Sequence, residues 1–373
     1  MSDGGAVDQV TLRRRKTGLT ARDAGKSAGG VTLYAPQTGD GAVYLVDEEG
    51  KCIHSWKLPV RPGRDAVLLK NGNLGFNGSS QTSEPPYTIW PLWRGGAFYE
   101  VDRDSKVVWS FNDDTHHHDA RWLDNGNLLY GAAHPLPADI KARIRGGVDR
   151  TGSPDGLTYS DVVREVDRSG KIVWEWKLWE HLDPEDYPVE PVFDRTHWPM
   201  INGLDVTRDG LVLMSLRTTS DVIAVDRATG KVKWRIGNDI VAQQHTPVEM
   251  ANGNILIFDN GNIRPGLSSH FSRVIEVNPS TGKIEWQYTD PMPPAFFSPY
   301  MGGAQRLWNG NTFITESAFG RLFEVTPEGE TVWEFLIPEF APYPEASIQH
   351  YVAGEHNSVF RAHRYRREDV PWL

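Results

Sequence analysis

Cysteine is nearly absent: Cys52 is alone in 373 residues. That excludes an intrachain disulfide and any zinc site assembled from thiolates. No apolar run approaches the length of a membrane-spanning helix. Near the N-terminus the basic run Arg13-Arg14-Arg15-Lys16 has no hydrophobic stretch behind it, so a secretory signal is missing and a cytoplasmic location is expected. Positive charge is in the minority, with 39 Lys and Arg against 49 Asp and Glu for a net charge of −10. Nucleic acid and anionic membrane are therefore poor partners, although a local basic pocket can sit on an acidic protein. There is no Gly-rich phosphate loop opening a helix and no HExxH element. No nucleotide, other cofactor or catalytic metal is expected.

Glycine (36) and tryptophan (14) are plentiful, which suits short strands and tight turns. One unit recurs: an apolar strand ending in Val-Asp or similar, a Gly-bearing turn, and a strand with an aromatic. It reads AVYLVDEEGKCIHSW from Ala42, VVREVDRSGKIVWEW from Val162 and LFEVTPEGETVWEFL from Leu322, with further copies from Ala97, Val222 and Val274. Five copies place tryptophan at one spot (Trp109, Trp174, Trp234, Trp286, Trp333), and the first has His54 there. Such a set on outer strands predicts packing between neighbouring units, away from any central pocket. The alternate half-unit is a hairpin that often turns on Asn-Gly-Asn, from DAVLLKNGNLGF at Asp65 to HYVAGEHNSVF at His350.

Two hairpins per unit and six units predict an all-β fold, a six-bladed β-propeller. The count is offset by half a unit, so the segment from His350 is expected to complete the first blade and close the ring by pairing N- and C-terminal strands. The division expected is an N-terminal arm over 1–29 and one propeller domain over 30–373. Insertions lie at 79–94, 134–159, 177–195, 264–269 and 291–301, and several of them are expected to cover one face and narrow its pocket.

The innermost strand of each blade lines the channel, and its first residues project into one mouth. Those places hold Arg64, His116-His117-His118-Asp119, Met200-Ile201-Asn202, His245, Gly302-Gly303 and His350. Second strands add Arg217 and Asp259-Asn260, and His134 and His197 lie nearby. Three readings compete. The histidines are satisfied turn residues; they converge on a transition metal; or they are nucleophile and acid–base groups beside arginines that grip an anion. Three consecutive histidines opening a strand cannot all face inward, which weighs against the metal. A non-catalytic propeller scaffold does not call for an inward His/Arg cluster.

The phrases HHDARWLDNGN from His117, INGLDV from Ile201, SLRTTSDVIAVDRATGKVKWRIG from Ser215 and QHTPVEMANGNILIFDNG from Gln244 resemble the bacterial arylsulfotransferase family. The resemblance implies a six-bladed propeller that moves a sulfuryl group between phenols without a nucleotide, by way of a transiently sulfated histidine. Carried over by motif, His245 matches the nucleophile and Arg217 the clamp on the sulfate oxygens. Asn202 matches a pocket asparagine, and His117 or His118 the acid that protonates the departing phenolate. Arg64, His197, Asn260 and His350 are further substrate-binding candidates, and the partners implied are small phenols and aryl sulfates. The family pattern His-Ile-Asn is replaced here by Met200-Ile201-Asn202, with His197 three residues earlier. The alternative activity is a lyase, dehydratase or hydrolase acting on an aromatic anion from the same pocket.

Overall fold

Alternating strands and tight turns build six antiparallel blades around one axis. The computed structural model describes residues 16–80 and 85–373. Residues 1–15 of the expected arm and 81–84 of the first insertion lie outside the described residues. In order from the axis outward, blade 2 is Pro62–Leu68, Leu74–Ser79, Gly96–Val101 and Val107–Asn112. Blades 3 to 6 open with the inner strands His116–Trp122, Ile201–Val206, His245–Glu249 and Gly303–Arg306. Residues Gly18–Arg22, within the expected arm, add a fifth outer strand to blade 6, with Leu19 opposite Phe335.

Closure comes from the C-terminal region. Val359–Tyr365 is the inner strand of blade 1 and pairs antiparallel with Val31–Pro36, Leu33 opposite His363. This corrects the expected start at His350. That residue ends the short helix Ala346–Gln349 and is exposed on the surface. The stretch before Val359 carries Pro338, Pro342, Pro344 and Gly354, which cannot sustain a strand ladder. The run VFRAHRY can, and its first four residues are buried.

Four of the five outer tryptophans tie their blades to the next. Trp109 Nε1 donates to Arg168 O at 2.8 Å, Trp174 to Arg227 O at 3.2 Å, Trp286 to Pro327 O at 2.8 Å and Trp333 to Glu48 O at 2.9 Å. The guanidinium of Arg168 stacks 4.6 Å from the Trp109 ring and that of Arg227 5.0 Å from Trp174. At the first copy His54 Nε2 meets Arg103 O at 2.9 Å, and Trp372 packs on its ring, restoring the missing indole from the far end of the chain. The Asn-Gly-Asn turns complete the joint. Asn125 and Asn127 both donate to Glu165, which also binds Arg227 of the next blade. Glu100 and Glu276 repeat the pattern.

Two of the expected insertions, 79–94 and 291–301, reach one mouth, joined there by a segment the repeat did not single out. The helix Trp90–Trp93, the loop through Tyr300 and Met301, and the segment carrying Tyr343 and Tyr351 all reach the same cavity.

Candidate active site

Inner strands open irregularly. Their ladders shift register between Tyr130 and Ala132 in blade 3, Ile201 and Gly203 in blade 4, and His245 and Val248 in blade 5. His118, Met200, Thr246 and Met301 take left-handed φ values of 58°, 61°, 51° and 57°. Such backbone is costly for residues with a Cβ and persists only where surroundings impose it. Here it breaks the strict alternation of side chains, so neighbours diverge. His116 turns between blades, its Nδ1 2.7 Å from Gly131 O and its Nε2 2.9 Å from Asn77 Nδ2. His117 enters the wall, and His118 faces the cavity.

His245 is held from three sides. Asn260 Nδ2 donates to Ser298 O (2.8 Å) and Met301 O (2.7 Å), which fixes its amide so that Oδ1 faces His245 Nδ1 at 2.8 Å. Nδ1 must therefore carry the proton, and Nε2 the lone pair. Two donors meet that lone pair, Asn202 Nδ2 at 3.1 Å and Met301 N at 3.2 Å. Burial, helped by the charges of Arg217 and Arg64, pulls the His245 pKa down to about 3 despite the bond to Asn260. The imidazole is neutral at physiological pH.

The cavity that His245 faces has a volume of about 340 Å³. Arg64, Arg217 and His118 line it together with Trp93, Tyr300 and Tyr343. Arg64 donates to the carbonyls of Trp93 (2.8 Å) and Leu92 (2.6 Å). Arg217 lies 4.6 Å from the Phe193 ring and 5.6 Å from Trp93. Neither has a carboxylate partner among the described residues. Burial lowers their pKa values to about 9 and about 10, so both remain cations. Two guanidiniums, Arg64 buried and Arg217 half-buried, with no carboxylate on either among the described residues and with aromatic walls around them, have the chemistry to grip an anion.

Behind His118 runs a chain of hydrogen bonds. His118 Nδ1 lies 2.7 Å from His117 Nδ1, and His117 Nε2 lies 2.6 Å from Asp161 Oδ1. The same oxygen lies 2.9 Å from His197 Nε2, whose Nδ1 lies 2.9 Å from the Tyr87 hydroxyl. Ile201 N donates to Asp161 Oδ2 at 2.7 Å. His117, Asp161 and His197 are the one group among the described residues that brings three metal-capable atoms together. Their 2.6 and 2.9 Å separations are those of hydrogen bonds; donors about 2.0–2.1 Å from a shared tetrahedral ion would stand farther apart.

Of the residues picked from sequence, Arg64, Arg217, His118 and His245 line the cavity. Asn202 and Asn260 orient His245 from outside it, and His117 and His197 lie behind His118. His197, three residues before Met200, is turned to Asp161, and it borders a neighbouring cavity together with Met200 and Arg217. His350 is outside the lining. Sequence reasoning missed Asp161, Tyr87 and the aromatic wall. An aspartate opening a strand inside a His-rich repeat was the available signal for Asp161.

A family model described as arylsulfotransferase (ASST) matches residues 16–240, and one described as outer membrane protein assembly factor BamB matches 160–342. The chain is 24% identical to an arylsulfate sulfotransferase AssT of Lelliottia amnigena and 23% identical to one of Escherichia coli O6:H1. Each match covers 81% of this chain, which spans 61% of either relative's length. A crystal structure of a Bacteroides caccae protein of unknown function aligns with a TM-score of 0.54 at 14% identity, over 83% of this chain and 94% of that one. The match over most of the chain establishes that this protein belongs to the arylsulfotransferase family.

Proposed function

We propose that the protein transfers a sulfuryl group from an aryl sulfate to a phenol, with His245 as nucleophile and without a nucleotide. What carries this reading is the neutral His245, its Nε2 lone pair fixed by Asn260, in the wall of a cavity with two uncompensated arginines. The names of the two curated relatives support the same class of substrate.

The sulfate of the donor sits between Arg64 and Arg217 with its aryl ring among Trp93, Tyr300 and Tyr343. His245 Nε2 attacks sulfur, the S–O(aryl) bond breaks, and the phenolate leaves. As the N–S bond forms, Asn202 Nδ2 and Met301 N–H lose their acceptor and turn to the sulfuryl oxygens, where charge builds. Asn260 keeps its bond to Nδ1–H, so the sulfated ring stays in place. His118 is the cavity group that protonates the leaving phenolate. In the second half the acceptor phenol gives its proton to His118 and takes the sulfuryl group, restoring neutral His245.

The test is intact mass of enzyme quenched early with 4-nitrophenyl sulfate and no acceptor. One added sulfuryl group is expected, absent from His245→Asn. An active enzyme that never carries the adduct overturns the nucleophile, and colour that forms equally well without phenol makes the protein a hydrolase.

A further inference from the structure

His118 faces the cavity in an awkward setting. Arg64, Arg217 and His245 approach it from the cavity side, and burial together with these charges drives its pKa well below the usual range. A ring that cannot hold a positive charge is a poor place to park the proton released by an acceptor. Yet its other nitrogen does not face water or a carbonyl. It faces a second imidazole, 2.7 Å away, with both nitrogens being Nδ1. One must donate and the other accept.

The remaining bonds decide which. Burial alone would push the Asp161 carboxyl up, but the facing His197 and His117 hold it well below the usual carboxylate range. As a carboxylate it only accepts, from Ile201 N–H, His117 Nε2–H and His197 Nε2–H. Neutral His117 then has its lone pair on Nδ1, His118 must carry its proton on Nδ1, and His118 Nε2 is a bare base toward the cavity. At the far end His197 Nδ1 accepts from the Tyr87 hydroxyl. Tyr87, Asp161, His117 and His197 are each no more than 1% exposed, so water does not compete.

We propose that Asp161 is a positioning residue that makes His118 and His117 a two-ring proton store, charged on the ring farther from the arginines. This rests on the sulfotransfer reading above. In the acceptor half, the phenol O–H bond breaks and His118 Nε2–H forms. His118 Nδ1–H breaks and His117 Nδ1–H forms. The charge ends on His117, an imidazolium against the Asp161 carboxylate, and His118 is neutral throughout. The donor half starts from the loaded store, His117 carrying the proton left by the preceding acceptor half or taken up from solvent before the donor binds. His117 Nδ1–H breaks as His118 Nδ1–H forms, His118 Nε2–H breaks, and the proton goes to the phenolate. The Asp161 carboxylate opposes the burial that disfavours a charged His117. Asp161 does not change protonation, and no proton need be exchanged with solvent between the halves. The left-handed backbone at His118, φ 58°, sets the two neighbouring rings edge to face at 4.9 Å, where strand alternation would have parted them.

The experiment compares wild type with Asp161→Asn in the rate of first phenol release from phenyl sulfate and from 4-nitrophenyl sulfate. The strongly basic phenolate needs a proton as it leaves, and the nitrophenolate hardly does. Asp161→Asn is expected to slow phenyl sulfate by about 100-fold, the scale of general-acid catalysis, and the nitrophenyl ester roughly tenfold less severely. Equal losses with both donors would reduce Asp161 to a structural support and overturn the proposal. A stoichiometric metal in the purified wild type that is lost from Asp161→Asn would overturn it also. A readout independent of activity is the imidazole 15N spectrum of the wild-type protein near pH 8, where burial keeps His117 neutral and the store is empty. His118 is expected as the Nδ1–H tautomer and His117 as Nε2–H, and the opposite pair would overturn the store even if the variant fails to fold. If no aryl sulfate releases phenol while these tautomers are found, the sulfotransfer reading fails and the wiring of His118 to Asp161 stands.

Discussion

The rim of the propeller and its mouth use the same side chains to opposite ends. At three of the rim joints arginine is closed off: Arg168 meets Glu100, Arg227 meets Glu165 and Arg306 meets Glu276, each stacked on a tryptophan. At the mouth, Arg64 and Arg217 also lie against aromatic rings, yet no carboxylate among the described residues answers them. A repeated joint satisfies every charge and adds stability blade by blade. The mouth leaves charge unanswered, which costs stability and creates affinity for an anion. Where this molecule departs from its own repeat is where its arginines are left without a carboxylate among the described residues.

That contrast can be broken in several places. Deleting residues 359–373 removes the inner strand of blade 1, and the whole cooperative unfolding transition should vanish in calorimetry. A truncated protein that still melts sharply would mean the ring is not held by closure. Next in size, Arg217→Ala should cut transfer by about 100-fold, as loss of one oxyanion partner does, while its melting temperature holds or rises because a half-buried cation without a carboxylate partner is gone. A matching fall in melting temperature would place Arg217 with the rim arginines.

Acid should weaken the fold through the mouth and its flank. Burial holds His116 and His245 at about 3, below the ordinary 6.5. Between those values the unfolded chain binds protons that the native protein refuses, so stability falls as pH drops below 6.5. The slope is on the order of 1.4 kcal/mol per pH unit for each histidine. A melting temperature flat from pH 7 to 5 would contradict neutral, buried rings. Smallest, Trp174→Phe at the rim removes the bond to Arg227 O and should cost about 1 kcal/mol in denaturant unfolding with unchanged turnover. A kinetic defect there would mean rim and mouth are coupled.

The propeller was legible because its signals are local and repeated: hairpin turns, Val-Asp ends and the tryptophan spot each recur at a spacing that survives the insertions. The inward-facing positions followed from the same period, which is how Arg64, His118, Arg217 and His245 came to light. His350 was misread because insertion 338–358 intervenes just where the last half-unit was due. Asp161 was hidden by a subtler slip. Ser160-Asp161 and Ser220-Asp221 begin third strands alike, but Asp161 is four residues before Glu165, which faces Trp174, while Asp221 is three before Ala224, which faces Trp234. One residue reverses the side, so Asp221 turns out to Arg235 and Asp161 turns in to the histidines. Tyr87, Tyr300 and Tyr343 come from aperiodic loops, and no spacing rule reaches them.

The strand that closes the ring carries Arg361 across the channel. Its guanidinium binds Asp65 of blade 2 and Asp119 of blade 3, and lies 3.4 Å from the hydroxyl of Thr246, next to His245. The channel is thus bolted beside His245 by a residue that leaves the ribosome after every blade but the first is complete. A nascent chain that has made His245, Arg217 and His118 has the cavity's charged and imidazole groups but not the bolt that ties blades 1, 2 and 3 together beside them. The cavity and the closed ring are completed in the same instant of synthesis, and a protease that clips the closing strand would undo both together.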